Sequence, residues 1–249
     1  MTSDSSGNNT SASAAVALLL PGYSPSLEWL ARAMLADHVI LDDVHPFSRK
    51  SRVHRARIRT PDGHHWLTIP VVTEDRRKPI KQVRIDHNRS WLKHHWQALE
   101  FNYRNSLYFD YYEPEIRSDL ETASGCEFLI DAIRHVMERQ WTYLELSFPF
   151  GWMSDLINSS VDSYSSYEFH HLPGSKLADY SVMRNPEIWQ EADSRNYQKP
   201  HPNAITPVFH IPEYRQHFHG FISGCSLLDV LFEYGPEAWQ VLDRISLKK

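Results

Sequence analysis

The chain of 249 residues makes one large domain or two closely packed ones, and its 41% apolar and 23% charged residues exclude collagen-like, coiled-coil and wholly disordered proteins. Two cysteines, Cys126 and Cys225, exclude a disulfide scaffold and a Cys-rich zinc module and fit a reducing compartment. The net charge of −5 argues against a generic nucleic-acid binder, yet 13 Lys/Arg stand against 4 acids between Arg49 and Lys93, so this stretch carries +9 and the remainder −14. Met1 to Ser13 is almost all Ser, Thr, Asn, Gly, Asp or Ala and is expected to be a disordered tail (1–13) ahead of one α/β domain (14–249). The apolar run Ala14 to Leu20 is far short of a membrane span and lacks the flanks of a signal peptide, so a cytoplasmic location is expected.

Ala15 to Leu20 reads as a buried strand, broken by Pro21 and Gly22. Ser24-Pro25 then predicts a helix start, with the hydroxyl as N-cap and proline at the first helical position, and Leu27, Leu30, Ala31 and Met34 share its apolar face. Val39 to Leu41 is a second buried run that ends in Asp42-Asp43. Strand, helix and strand form a βαβ unit, whose ligands sit beyond the carboxyl ends of the strands, where Tyr23, Asp42 and Asp43 fall. Arg52 to Arg59 alternates, with Arg55, Arg57 and Arg59 on one side and Ala56 and Ile58 on the other. Pro61-Asp62-Gly63 is a turn and His65 to Val72 returns, so the pair predicts a β-hairpin with one basic side. Ile80, Val83 and Ile85 suggest another strand. Ser90 opens a helix with the stripe Leu92, His95, Trp96, Leu99 and Tyr103, and a further amphipathic helix carries Phe128, Leu129, Ala132, Ile133, Val136 and Met137. Residues 147–203, rich in Ser, Tyr, Pro and Asn, read as loop with short helical pieces, and Leu227 to Phe232 leads to a helix opened by Pro236. The fold class predicted is α/β: a single domain opened by a βαβ unit, with a β-hairpin and surrounding helices.

Several motifs in fixed order carry a resemblance. They are Leu20-Pro21-x-Tyr23, Phe47-x-Arg49-Lys50, His54-Arg55-x-x-Ile58, Trp66 to Val71, Trp91 with His95-Trp96, and Tyr108 to Tyr112. A closing group follows: Tyr214-x-Gln216-x-Phe218, then Phe221 and Ser226 to Pro236. Together they resemble the WbqC-like family over most of residues 20–242, with a lapse across 147–203. Three single positions depart from the family pattern: His54 replaces its Asn, Leu107 its Pro, and Glu233 the Asn of the closing motif. The Tyr-Leu-Ser-Gly type loop of some members has no counterpart here. The resemblance implies an acyl- or aminoacyl- (glycine-type) transferase of bacterial surface-polysaccharide (O-antigen) biosynthesis. The alternative is a non-catalytic binding module for an anionic nucleotide-sugar or a partner protein.

Guanidinium forks on a strand present parallel donors to phosphate or carboxylate, so Arg49, Lys50, Arg55 and Arg57 are the first candidates to bind a phosphate-bearing donor; the bland reading is a solvated strand face. Nucleic acid is not the expected partner, because no aromatics interleave with these arginines along the strand. His95 is either a core histidine bonded to its surroundings or a general base reaching a cleft. Asp43 is an acid, base or cation holder at a strand end, or a turn residue paired with Arg49 or Arg55. Asp229, alone among apolar neighbours, needs a partner. With the resemblance, the expected catalytic set is His95, Asp43 and Asp229, and the expected substrate-binding set is Tyr23, Arg49, His54, Arg55, Arg57, Tyr103, Tyr214 and Gln216. Adjacent histidines do not readily chelate one ion and no His-Glu-x-x-His occurs, so no metal is assigned, and the cofactor stays open. The expected partner is a phosphorylated or nucleotide-activated small molecule.

Overall fold

The computed structural model describes residues 16–158 and 209–247. The expected tail and all but the beginning of the 147–203 segment lie outside the described residues.

The chain opens as the βαβ unit anticipated. β1 (Val16–Leu19) and β2 (His38–Leu41) pair in parallel, from Val16 against His38 to Leu19 against Leu41, with α1 (Leu27–Leu35) as the crossover. The helix starts two residues later than Ser24-Pro25 implies. Ser26 is its N-cap, with its hydroxyl 3.5 Å from the Trp29 N–H, while the Ser24 hydroxyl donates to Gln140 Oε1 at 2.7 Å. The delay has a tertiary cause: Leu227 N–H takes the Pro25 carbonyl at 2.9 Å and Ser26 bridges Ser226, which holds Pro25-Ser26 extended. Met34, expected inside, is 42% exposed, and Trp29 is buried instead because Trp141 stacks on it at 5.9 Å.

β3 (Arg55–Thr60) and β4 (Gly63–Thr68) form the expected hairpin, in register from Arg55 with Thr68 to Thr60 with Gly63. The strand suggested by Ile80, Val83 and Ile85 is not formed. A short 3₁₀ turn covers Ile80–Gln82, followed by single bridges Val71 to Ile85 and Arg84 to Phe128. The Arg84 N–H is bonded at 3.0 Å to the buried Asp75 carboxylate, so it is not free for a strand partner. The same carboxylate takes the Arg84 side chain at 2.8 Å and Lys78 at 2.6 Å, and the Arg84 bonds hold its pKa well below the ordinary value.

α2 (Trp91–Tyr103) buries Trp91, His95, Leu99, Asn102 and Tyr103, leaving Leu92 and Trp96 half-covered. α3 (Phe109–Ser124), to which the sequence reading assigns no element, buries Phe109, Tyr112, Ile116, Leu120 and Ala123 at helical spacing and packs on α4 (Leu129–Tyr143). β5 (Phe150–Trp152), inside the segment read as loop, extends the parallel sheet to the order β1-β2-β5 and runs into α5 (Met153–Asn158). β6 (Phe209–His210), α6 (Leu227–Tyr234), α7 (Trp239–Leu242) and β7 (Ser246–Leu247) complete the described chain, and β6 pairs with β7. Gly235 ends α6 at φ +52°, and a Cβ there would lie 2.6 Å from the Tyr108 ring, so the closing Gly-Pro is a close-approach site. This α/β architecture leaves one face of the β3–β4 hairpin on the core, through Ala56, Ile58 and Leu67, and packs β3 against α2 and α6.

Candidate functional site

Between the hairpin and α2 lies an open cleft of about 710 Å³. Its walls carry Arg49, Arg55, Arg76, Arg89, His54, His65, His94 and His95, with Trp66 and Trp91, and none of the described residues lining it is acidic. Four permanent cations without a lining carboxylate make it attractive to anions. Arg55 is pre-set at its edge: its guanidinium donates to the Ser51 carbonyl at 3.0 Å and the Lys50 carbonyl at 2.6 Å, and lies 4.6 Å from the centre of the Trp66 ring. Arg52 sits 5.4 Å from the same ring. The aromatic partner missing from β3 is thus supplied by β4 across the hairpin.

Two histidines in the wall are buried. His95 is 3% exposed, stands edge-on to Trp91 at 4.8 Å and meets the Tyr23 hydroxyl through Nδ1 at 3.1 Å. Burial pulls its pKa down to about 4, with the charges of His65 and His94 acting in the same direction and the Thr68 backbone against them. His54 is 5% exposed, packs edge-on against Phe47 at 5.0 Å and has no partner for Nδ1. Its pKa is also lowered to about 4, by burial first and then by Arg55 and Arg49. Both rings are therefore neutral at pH 7. Tyr23 is fully buried behind His95, and burial raises its pKa, so it remains a phenol.

The structure divides the expected site residues into separate places. Arg49, His54, Arg55 and His95 share the cleft, with Tyr23 behind His95. Tyr103, Tyr214, Gln216 and Asp229 come together elsewhere, in a buried network. The Asp229 carboxylate accepts from the Tyr103 hydroxyl at 2.7 Å, the Tyr214 hydroxyl at 2.7 Å and Gln216 Nε2 at 2.8 Å, which answers its need for partners. The Tyr103 hydroxyl in turn accepts the Arg59 N–H at 2.9 Å, so this network fastens β3. Burial raises the Asp229 pKa against the pull of its three donors. Arg59, grouped in the sequence with Arg55 and Arg57, is 2% exposed and its guanidinium donates to the carbonyls of Thr60, Gly63, His219 and Gly220.

Asp43 joins neither group. Its carboxylate accepts the Ser154 N–H at 2.9 Å and hydroxyl at 2.6 Å and lies 3.4 Å from Arg134, tying β2 to α4 and α5 in place of a pairing with Arg49 or Arg55. Arg57 lies on a second, smaller pocket, at the carboxyl ends of β1 and β2. The cleft residues Arg76, Arg89, His65 and Trp91 were not singled out as ligand-binding by the sequence reading. Their signal is the stretch from Arg49 to Lys93 itself, which contains all four and counts Arg76 and Arg89 among its 13 cations. Among the described residues, no three His, Cys, Asp or Glu are placed to hold a metal ion. No helix among them is long and apolar enough to cross a membrane.

An α/β domain with a cationic cleft between a hairpin and a helix is thus the class that fold and geometry define. The WbqC-like protein family matches residues 21–241, and the chain belongs to that family. It is 26% identical over 243 residues to the uncharacterized protein Rv1507c of Mycobacterium tuberculosis, covering 90% of this chain and 95% of that protein. No solved structure matches the chain.

Proposed function

We propose that this protein binds a phosphate-bearing small molecule, such as a nucleotide-activated donor, in the cleft between the β3–β4 hairpin and α2. The observation that carries the reading is the convergence of Arg49, Arg55, Arg76 and Arg89 on one cavity with no acid among its described lining residues. A multiply charged ligand meets several guanidinium forks there, and the neutral His54 and His95 add hydrogen-bonding groups without adding charge. Titration of the full chain with nucleotide-sugars tests it. Arg55→Ala weakens binding by about 1.5–3 kcal/mol, the scale of a charged hydrogen bond, and added salt weakens the wild type. Equal affinity of variant and wild type removes Arg55 from the site. Tighter binding of short DNA or RNA than of any nucleotide-sugar overturns the small-molecule reading.

The second reading is catalysis: transfer of an acyl or aminoacyl, glycine-type group to a sugar in bacterial surface-polysaccharide assembly, with His95 as base. What favours it is a neutral imidazole on the cleft wall, oriented by the Tyr23 hydroxyl at 3.1 Å. Asp43 and Asp229 lie on other networks, so this reading asks no proton transfer of them. With a donor and an acceptor sugar in hand, His95→Gln lowers the transfer rate by about 10²–10⁴-fold under this reading, while retained turnover leaves the binding reading alone.

A further inference from the structure

The smaller pocket lies where two helix N-termini meet. Ser26 caps α1 and Ser226 caps α6, and the two residues bridge each other across the pocket floor. Both line a cavity of about 50 Å³, several times the roughly 10–15 Å³ that one water occupies by the same measure. The positive ends of the two helix dipoles favour an anion there, with the Trp29 and Leu227 N–H groups themselves held by Ser26 and Pro25.

Two further observations point to a ligand. Ser226 is 2% exposed, yet its hydroxyl has no hydrogen-bond partner and, unlike Ser26, it caps no N–H of its own helix. Arg57 lines the same pocket with a buried Nε that is also unpartnered. Orphaned buried donors are costly and rare, and two of them on one small cavity are explained by an acceptor that enters it. Gly224 keeps the approach open. It sits at φ +75°, and a Cβ there would lie 3.3 Å from Arg57 Nη1 and 3.8 Å from both Arg52 Nη2 and Glu28 Oε1. Among the described lining residues the one carboxylate is Asp42, already engaged by the N–H groups of Val44 at 3.2 Å and His45 at 3.0 Å, while Glu28 stands by the two arginines at Gly224 without lining the pocket.

We infer that this pocket is a second anion subsite, built for a phosphate group by Ser226, Arg57, Arg52 and the N-termini of α1 and α6. Arg55 and Trp66 line both this pocket and the larger cleft, so the two cavities adjoin. The inference deepens the cleft reading: a ligand that spans the pair carries two anionic groups, with its middle lying against Trp66.

Calorimetric titration of the full chain with inorganic phosphate at low salt separates the two sites. The wild type takes up two phosphates. Ser226→Ala weakens one of them about tenfold, and Ser226→Asp, which supplies its own carboxylate and a favoured cap residue, abolishes it; Arg76→Gln, in the cleft alone, weakens the other. Circular dichroism checks that each variant is folded, and Ser226→Ala serves if the aspartate disturbs packing. One phosphate, lost in Arg76→Gln but indifferent to Ser226, overturns the subsite and leaves the cleft reading standing. One phosphate, lost on changing Ser226 but indifferent to Arg76, keeps the subsite and removes the cleft. No uptake overturns both.

Discussion

The cleft and the Asp229 network both border β3, the first through the Arg55 side chain and the second through the Arg59 N–H, and they respond to acid with opposite sign. On the cleft side, His54 and His95 have pKa values near 4, against about 6.5 in an unfolded chain. The folded state therefore holds fewer protons between those values, so the stability these histidines allow is full above pH 6.5 and is lost as pH falls toward 4. In the network, burial raises the pKa of Asp229, so the folded state takes up a proton before the unfolded one does, and acid stabilises it. The difference lies in how charge is matched. A network of complementary donors around one carboxylate holds a strand, whereas the cleft gathers arginines and neutral imidazoles with no carboxylate among its described lining residues.

The most direct way to break the comparison is to delete the carboxylate. Asp229→Ala leaves Tyr103, Tyr214 and Gln216 without their shared acceptor in the interior and is expected to cost about 3–5 kcal/mol in denaturant unfolding. A loss below 1 kcal/mol would mean that the network does not support the fold. The acid response comes next. Wild-type stability is expected to drop between pH 6.5 and 4, by about 2–3 kcal/mol for each buried histidine, and His54→Gln to flatten the slope. An unchanged slope in that variant would show that His54 does not titrate as a buried group.

The paired variants His95→Gln and His94→Gln sharpen the contrast within the cleft wall. The first removes the Nδ1 bond to Tyr23 from a buried position and should cost about 1–3 kcal/mol, while exposed His94 should cost less than about 0.5 kcal/mol. Equal costs would place the two side chains in equivalent surroundings. The smallest stability effect belongs to Arg76→Gln, an exposed cleft residue whose removal should leave the unfolding midpoint within about 0.5 kcal/mol of wild type while anion affinity falls. A large loss of stability there would make Arg76 a structural residue.

The local devices of this fold were legible in the residues themselves. Alternating apolar and basic side chains from Arg55 to Thr60, with Pro61-Asp62-Gly63 behind them, specify the hairpin; Ala15 to Leu20 and Val39 to Leu41 around an amphipathic run specify the βαβ unit. The concentration of cations between Arg49 and Lys93 marked the stretch that supplies the arginines of the cleft. These signals survive because period and charge density belong to short stretches of chain.

What the tertiary structure alone decided is the partnership of each polar group. Nothing in the spacing of Tyr103, Tyr214 and Gln216 says that all three donate to Asp229, since those bonds cross up to 126 positions of sequence. Nor does the pair Asp42-Asp43 show that one carboxylate takes local N–H groups and the other reaches Ser154 and Arg134. Arg55, Arg57 and Arg59 alternate identically on one strand, yet the first edges the cleft, the second faces the small pocket and the third is spent on loop carbonyls. The period of a strand sets the side from which a group leaves the backbone, whereas its role depends on which distant donors and acceptors the folded chain brings within about 3 Å.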